Sequence, residues 1–353
     1  MIFDAARVLI PFVASFIIGI ALSPILTHQL YKHRAWKKKG GKGKGIGDDT
    51  GTPMFDSLHK EREVSTPRMG GMVVWGATFL TTILFSGLAA FFGGQFAPLD
   101  FINRSQTWLP LFALLVGAVV GFADDLLEVT RSSGGLSLKW RLLVVALLGA
   151  FSGWWFFAKL GVSSVGVPFV GPIELGWLFI PFFMLVMLAL YAGGVIDGID
   201  GLAGGIFAFI FLAYAGISFA QSQIALAAFD ATVAGALFAF LWFNIPPARF
   251  YLSETGSMAL TCALAIAAFS ADTLGDGVGV AVLPIIALPL TVTVITNALQ
   301  VISKKVFKRK LFHIAPIHHH FEALGWPAYK VTMRYWVITI IASIFGIALA
   351  LLK

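Results

Sequence analysis

Cysteine and charge are both scarce in this chain. Its 353 residues include one cysteine, Cys262, and Asp, Glu, Lys and Arg together make up only 12%. A single cysteine excludes an intrachain disulfide framework and a thiolate metal site; its place in an apolar run suits a small buried hydrophobe. So little charge, set against 58% hydrophobic residues and a mean hydropathy of +0.87, excludes an ordinary soluble domain, in which about a quarter of the residues are charged. There is no internal repeat and no HExxH zinc spacing. No small-residue cleavage pattern follows the apolar stretch from Arg7 to Leu30, which is therefore expected to be an uncleaved first span rather than a secretory signal. An acidic excess is absent as well, since the net charge is +7. The basic residues flank apolar runs, where they orient a chain in a membrane, so no nucleic-acid partner is implied.

What the chain has in abundance is long apolar sequence. Its runs repeatedly exceed the roughly 18 residues that suffice to cross a bilayer. The expected fold class is an all-α polytopic membrane protein of about ten transmembrane helices, at residues 8–30, 69–92, 108–123, 140–157, 177–196, 202–220, 224–243, 257–270, 278–302 and 333–352. A single integral membrane domain over 1–353 is the simplest partition. With ten spans both termini share a face. All but four of the 25 Lys and Arg residues (Arg7, Arg104, Lys159 and Lys353) then fall with the loops after spans one, three, five, seven and nine, which makes those loops cytoplasmic. The largest basic block, KHRAWKKKGGKGK at 32–44, opens an expected flexible basic cytoplasmic segment at about 32–64. It serves as an orientation signal and attracts anionic lipid head groups by about 1 kcal/mol per cation.

The cytoplasmic loops also collect polar chemistry. Asp124, Asp125, Asp197, Asp200, Glu254 and Glu322 all lie there, with the run His318-His319-His320. Asp124-Asp125 closes the apolar run LFALLVGAVVGFA; adjacent carboxylates at a membrane boundary repel and lose hydration, which a divalent cation or a positive partner offsets. A solvated pair ending a helix is the plainer alternative. In VIDGIDGLAGG, residues 195–205, Asp197 and Asp200 are three apart and share a face if the stretch begins a helix, so both could meet one metal or phosphate. The surrounding glycines allow close backbone approach to phosphate oxygens; a glycine-rich turn with solvated aspartates is the competing reading. The loop FNIPPARFYLSETGSM supplies Asn244, Arg249, Tyr251 and Glu254 in one short connection. Three consecutive histidines cannot all point one way on a helix, because successive side chains are about 100° apart. Near phosphate an imidazole can donate a hydrogen bond, carry charge or move a proton, and a packing or capping role is the alternative for each.

These motifs carry a resemblance. STPRMGG at 65–71, ADDLL at 123–127, GLSLKWR at 135–141, DGIDGLAGG at 197–205, FNIPPARFYLSETGSMAL at 243–260 and APIHHHFEALGW at 315–326 stand in the order found in phospho-N-acetylmuramoyl-pentapeptide transferases. The likeness spans nearly the whole chain. The wider superfamily of polyprenyl-phosphate N-acetylhexosamine-1-phosphate transferases shares the paired aspartates and the DG repeat, whereas APIHHHFE followed by GW resembles the muramoyl-pentapeptide branch. The resemblance implies an Mg²⁺-dependent transfer of phospho-MurNAc-pentapeptide from UDP-MurNAc-pentapeptide to undecaprenyl phosphate, giving lipid I and UMP for peptidoglycan synthesis. It further implies the bacterial inner membrane, an active site facing the cytoplasm, contact with membrane lipid, and room for a homodimer. By the same resemblance Asp197 is nearest the reacting phosphate and, with Glu254, a metal ligand. Asp124 and Asp125 serve metal, lipid phosphate or site electrostatics, and His318, His319 and His320 line the diphosphate region. Asp200, Asn244 and Tyr251 contact the nucleotide.

The chain departs from the pattern at several points. Glu254 stands for an Asp, Gly194 for an Asn, and Glu128 and Ser132 for lysines; Glu63-Val64 stands where a Lys precedes the TP motif. Arg62, Arg131, Lys139, Arg141 and Arg249 are the cations expected to substitute. The alternatives are another UDP-HexNAc transferase of the superfamily, an inactive paralogue, or a transporter. A transporter should place carboxylates at mid-bilayer and show inverted repeats, whereas these carboxylates gather at one boundary.

Overall fold

The computed structural model describes residues 2–38, 63–103, 106–131, 134–273 and 277–352. Most of the basic segment expected at 32–64, with Arg62, lies outside the described residues, as does Ser132. Hydrocarbon offers the backbone no hydrogen-bonding partner, so each apolar run must satisfy its own N–H and C=O groups as a helix. The helices are α1 (Ile2–Lys32), α2 (Gly71–Phe92), α3 (Trp108–Thr130), α4 (Leu138–Lys159), α5 (Phe179–Gly193), α6 (Leu202–Ala220), α7 (Ile224–Asn244), α8 (Ser253–Thr273), α9 (Gly279–Ile286), α10 (Leu288–Phe307), α11 (Ile317–Ala323) and α12 (Ala328–Leu351). Among the described residues nine helices are long and apolar enough to cross a membrane, and ten spans result if α9 and α10 are one broken span. The protein is an all-α polytopic membrane protein.

Four expectations need correction. The span expected at 257–270 is a full-length helix beginning at Ser253, so Glu254 sits in its first turn rather than in a loop. The span at 278–302 is broken: α9 and α10 meet at 74° around Ala287, with Pro284 inside one helix and Pro289 opening the next. Proline removes an N–H and clashes with the preceding turn, which accounts for the break. The third span does not end at 123, so Asp124 and Asp125 lie within α3. Finally, residues 197–201 form a turn rather than the start of a helix; α6 begins only at Leu202, after Gly201 at φ 75°.

Helix α8 is the centre of the bundle, with 94% of its apolar window buried against 28% for α1. It packs on α3, α5, α9 and α2, while α1 and α6 flank α7. The contact of α3 with α8 fixes the site. A Cβ on Gly121 would lie 2.1 Å from the Glu254 carbonyl oxygen, and one on Gly117 would lie 2.7 Å from that of Met258. Only glycine at these points lets the two backbones approach, as small residues do between membrane helices. The antiparallel hairpin of β1 (Ser164–Val167) and β2 (Gly171–Glu174) joins α4 to α5, at the end of the bundle opposite the acidic motifs.

Candidate active site

The N-terminus of α8 organises the site. Its first backbone N–H groups have no partner within the helix, and two aspartates from other segments accept them. Asp197 Oδ2 takes the Ser253 N–H at 2.7 Å, and Asp125 Oδ2 takes the Thr255 N–H at 2.8 Å together with the Thr255 hydroxyl at 2.6 Å. The positive end of the helix dipole favours both carboxylates. The segment before α2 is tied to the same place: Pro67 accepts from the Tyr251 N–H, Gly70 and Gly71 donate to the carbonyls of Tyr251 and Leu252, and the Met69 N–H reaches Ser253 Oγ at 2.7 Å. A Cβ at Gly71 would fall 2.3 Å from the Gly256 nitrogen, so this pairing requires the glycine.

Three cations then thread the carboxylates. Arg68 places Nε 3.0 Å and Nη2 2.9 Å from Asp125 Oδ1, and Nη2 also lies 3.0 Å from Glu128 Oε2. Lys37 bridges Glu128 and Glu63 at 3.2 and 3.1 Å. Arg141 Nη1 meets Glu254 Oε1 at 2.5 Å and Asp124 Oδ2 at 3.6 Å, while Tyr191 donates to Glu254 Oε2 at 3.4 Å. Asp124 also accepts the Leu136 N–H at 2.6 Å, under a glycine, Gly135, whose Cβ would collide with it. Of the expected substitutes for the missing lysines, Arg141 alone among the described residues pairs with a site carboxylate. Arg131, Lys139 and Arg249 are exposed, the last lying over the Phe243 ring at 5.6 Å. Sequence reading missed Arg68 and Lys37. The signal available for Arg68 was its place inside STPRMGG, one of the motifs that carry the resemblance.

The DG turn is braced from below. Asn244 accepts the Gly201 N–H through Oδ1 at 2.9 Å and donates from Nδ2 to the Phe250 carbonyl at 2.8 Å, so both ends of its amide hold backbone. Asp200 turns to the Ala248 N–H at 3.1 Å while Asp197 turns to Ser253; the two carboxylates diverge rather than share a helix face. Asp197 is half-buried, and its Oδ1 meets no protein donor among the described residues. Burial pushes its carboxyl up to about 6 against the opposing pull of the Ser253 N–H and the Arg68 charge. Burial works against the Arg68 charge too, but Asp125 and Glu128 outweigh it and hold the guanidinium above its ordinary value.

Helix α11 brings the histidines. His318 and His319 are buried against Gly198, with both Nε2 atoms within 3 Å of where a Cβ there would stand. Glu322 Oε2 lies 2.7 Å from His319 Nδ1, which orients that ring. His320 faces the other way: its Nδ1 accepts the His313 N–H and its ring stacks on His313. Tyr251 stands at the junction of the two zipped segments, bound through its backbone. The structure thus gathers Asp124, Asp125, Asp197, Glu254, His318 and His319 around the start of α8 and the DG turn, and sets His320 apart.

One oxygen each of Asp124, Asp125 and Glu128 lie within 4.8 Å of one another, a spacing one cation could bridge. All three are already engaged by Arg68, Lys37, Arg141, Thr255 or Leu136. Their oxygens are donors of the kind a hard divalent cation takes, and Asp197 is not among the three.

The model for glycosyl transferase family 4 matches residues 107–272. Among curated proteins, the phospho-N-acetylmuramoyl-pentapeptide-transferase of Acetivibrio thermocellus is 31% identical over 347 residues, covering 95% of this chain and 93% of its own. Its namesake from Chloroflexus aurantiacus is 32% identical over 308 residues, 82% of this chain and 78% of its own. That of Clostridium perfringens strain 13 is 29% identical over 345 residues, 97% and 98% of the two chains.

Proposed function

The chain belongs to the phospho-N-acetylmuramoyl-pentapeptide-transferase family, and on that footing we propose that it transfers phospho-MurNAc-pentapeptide from UDP-MurNAc-pentapeptide to undecaprenyl phosphate, releasing UMP and forming lipid I. One observation carries the reading: carboxylates, cations and imidazoles from the segment before α2, from α3, α4 and α11, and from the DG turn converge at the start of α8. A soluble nucleotide and a lipid phosphate can meet only where a membrane gives way to water, and a site at the ends of helices long enough to span supports such a meeting. The excess of Lys and Arg on that side supports a cytoplasmic face. An apolar cleft of about 310 Å³ at the α9–α10 break, lined by Phe182, Val186, Leu190, Leu283, Pro284 and Leu290, offers a polyprenyl chain a surface of matching chemistry.

In this reading Asp197 holds or removes the proton of the attacking lipid phosphate through its open oxygen. His318 and His319 donate to phosphate oxygens over Gly198, where the lack of a side chain leaves them room. Asp124 and Asp125 set the positions of Arg141 and Arg68. Asp200 and Tyr251 take the uridine, and Asn244 holds the turn between them. Asp197 and Glu254 would hold the Mg²⁺ ion that this reaction calls for, carboxylate oxygens being donors suited to that cation. Glu254 would share its carboxylate between the ion and Arg141, and a bound ion would offset negative charge on the diphosphate and the leaving UMP.

The test is turnover. Purified protein with undecaprenyl phosphate, Mg²⁺ and UDP-MurNAc-pentapeptide should release UMP, and Asp197→Asn, still folded, should lose on the order of a hundredfold or more of that release. Release of UMP from UDP-GlcNAc alone would move the protein to another branch of the superfamily. Undiminished turnover by the Asn variant would remove Asp197 from the chemistry.

A further inference from the structure

We propose that Arg68 binds a substrate phosphate oxygen through Nη1, and so supplies a cationic contact that this chain lacks at Glu128. The placement of Arg68 is rigid. Its backbone N–H donates to the Ala35 carbonyl at 2.7 Å, and the residues on either side are pinned to the 251–253 segment. Its side chain is 16% exposed, and two of the three guanidinium nitrogens are committed: Nε and Nη2 grip Asp125, and Nη2 also holds Glu128. A guanidinium carries five N–H donors. The two on Nη1 meet no acceptor among the described residues, and the group lies close enough to Asp197 for their charges to interact.

Arg68 is therefore held on Asp125, one of the two aspartates that cap α8, and within the charge field of the other, Asp197. Phosphate oxygens are among the acceptors a guanidinium N–H suits, and such charge-assisted bonds are the strong ones. Glu128 does not oppose this. With Asp125 it holds the side chain in one rotamer, and Lys37 shares the second carboxylate, so the acidic residue positions a cation instead of repelling the substrate. An arginine reached from the 65–71 segment replaces, in space, a positive charge that the α3 helix does not provide.

The inference rests on the transferase reading only for the identity of the anion, and the diphosphate of the nucleotide and the head group of the lipid share the required chemistry. The experiment is therefore a binding measurement without turnover. Full-length protein in detergent is titrated with UDP, with uridine and with undecaprenyl phosphate, using wild type, Arg68→Lys and the double variant Arg68→Gln/Glu128→Gln. The double variant strands one carboxylate fewer than Arg68→Gln alone, and Arg68→Lys keeps the charge while losing the fork.

Both variants should weaken one phosphorylated ligand by roughly tenfold to a hundredfold and leave uridine within about twofold. A loss confined to UDP assigns the contact to the diphosphate, and one confined to undecaprenyl phosphate assigns it to the lipid. Wild-type affinity for both phosphorylated ligands in the two variants overturns the proposal, as does an equal loss of uridine, which would mark Arg68 as a brace for the site. Failure of the transferase reading is seen separately, as absence of UMP release by the wild type.

Discussion

At the scale of single residues the site is a set of charges that constrain one another. Glu254 is the clearest case, because the resemblance places an aspartate there and the structure ties the longer side chain to Arg141 and Tyr191. What the site needs from this position is a carboxylate in the first turn of α8, beside the positive helix end. Arg141 is long enough to follow a carboxylate that retreats by one methylene. Glu254→Asp should therefore keep Mg²⁺-dependent UMP release within about threefold, whereas Glu254→Ala leaves Arg141 only its longer contact with Asp124 and should lose at least about tenfold. Measuring both against Mg²⁺ concentration separates the roles, and loss of release by a folded Glu254→Asp protein would mean that the surrounding segments are fitted to glutamate. The candidate carboxylates were legible as residue types at a membrane boundary. What each one touches was not, because Asp125 reaches Thr255 across 130 positions of sequence and Asp197 reaches Ser253 across 56. The cation opposite Glu128 was hidden for the same reason: Arg68 is distant in the chain and adjacent in space.

At the scale of elements, apolar run length gave the spans, and their ends were misread wherever polar residues continue a helix. Asp124 and Asp125 sit inside α3, and Ser253 to Gly256 already belong to α8, because tertiary partners satisfy the polar groups that would otherwise end each helix. The break between α9 and α10 was signalled by Pro284 and Pro289 but hidden within one long apolar run. The α3–α8 contact is the element on which the geometry depends. Gly121→Ala would drive a methyl group toward the Glu254 carbonyl, separating the helices and pulling Asp125 from Thr255. The expected cost is about 1–3 kcal/mol, read as a lower melting temperature together with lost UMP release. Gly87→Ala is the matched control, since nothing lies within 4 Å of a Cβ there and alanine favours a helix; it should be neutral or slightly stabilising. Equal behaviour of the two variants would remove the close approach as the feature that sets the site.

At the scale of the whole molecule sidedness decides, since a cytoplasmic nucleotide reaches the start of α8 only if that end of the bundle faces the cytoplasm. Charge asymmetry predicts this arrangement, with all but four of the Lys and Arg residues on the site's side. The chain is well suited to a direct measurement. Its single thiol, Cys262, is fully buried in α8, so the natural protein should not react with a charged, membrane-impermeant maleimide. Phe169, at the turn of the β1–β2 hairpin, is 79% exposed, and Lys310, beyond the end of α10, is exposed at the opposite pole. In intact cells stripped of any outer barrier, Phe169→Cys should label at once and Lys310→Cys only after the membrane is opened. Cys262 gives the background for both. The reverse pattern would turn the carboxylates and histidines away from any cytoplasmic nucleotide, and the proposed reaction would lose its soluble substrate even if every contact around α8 were correct.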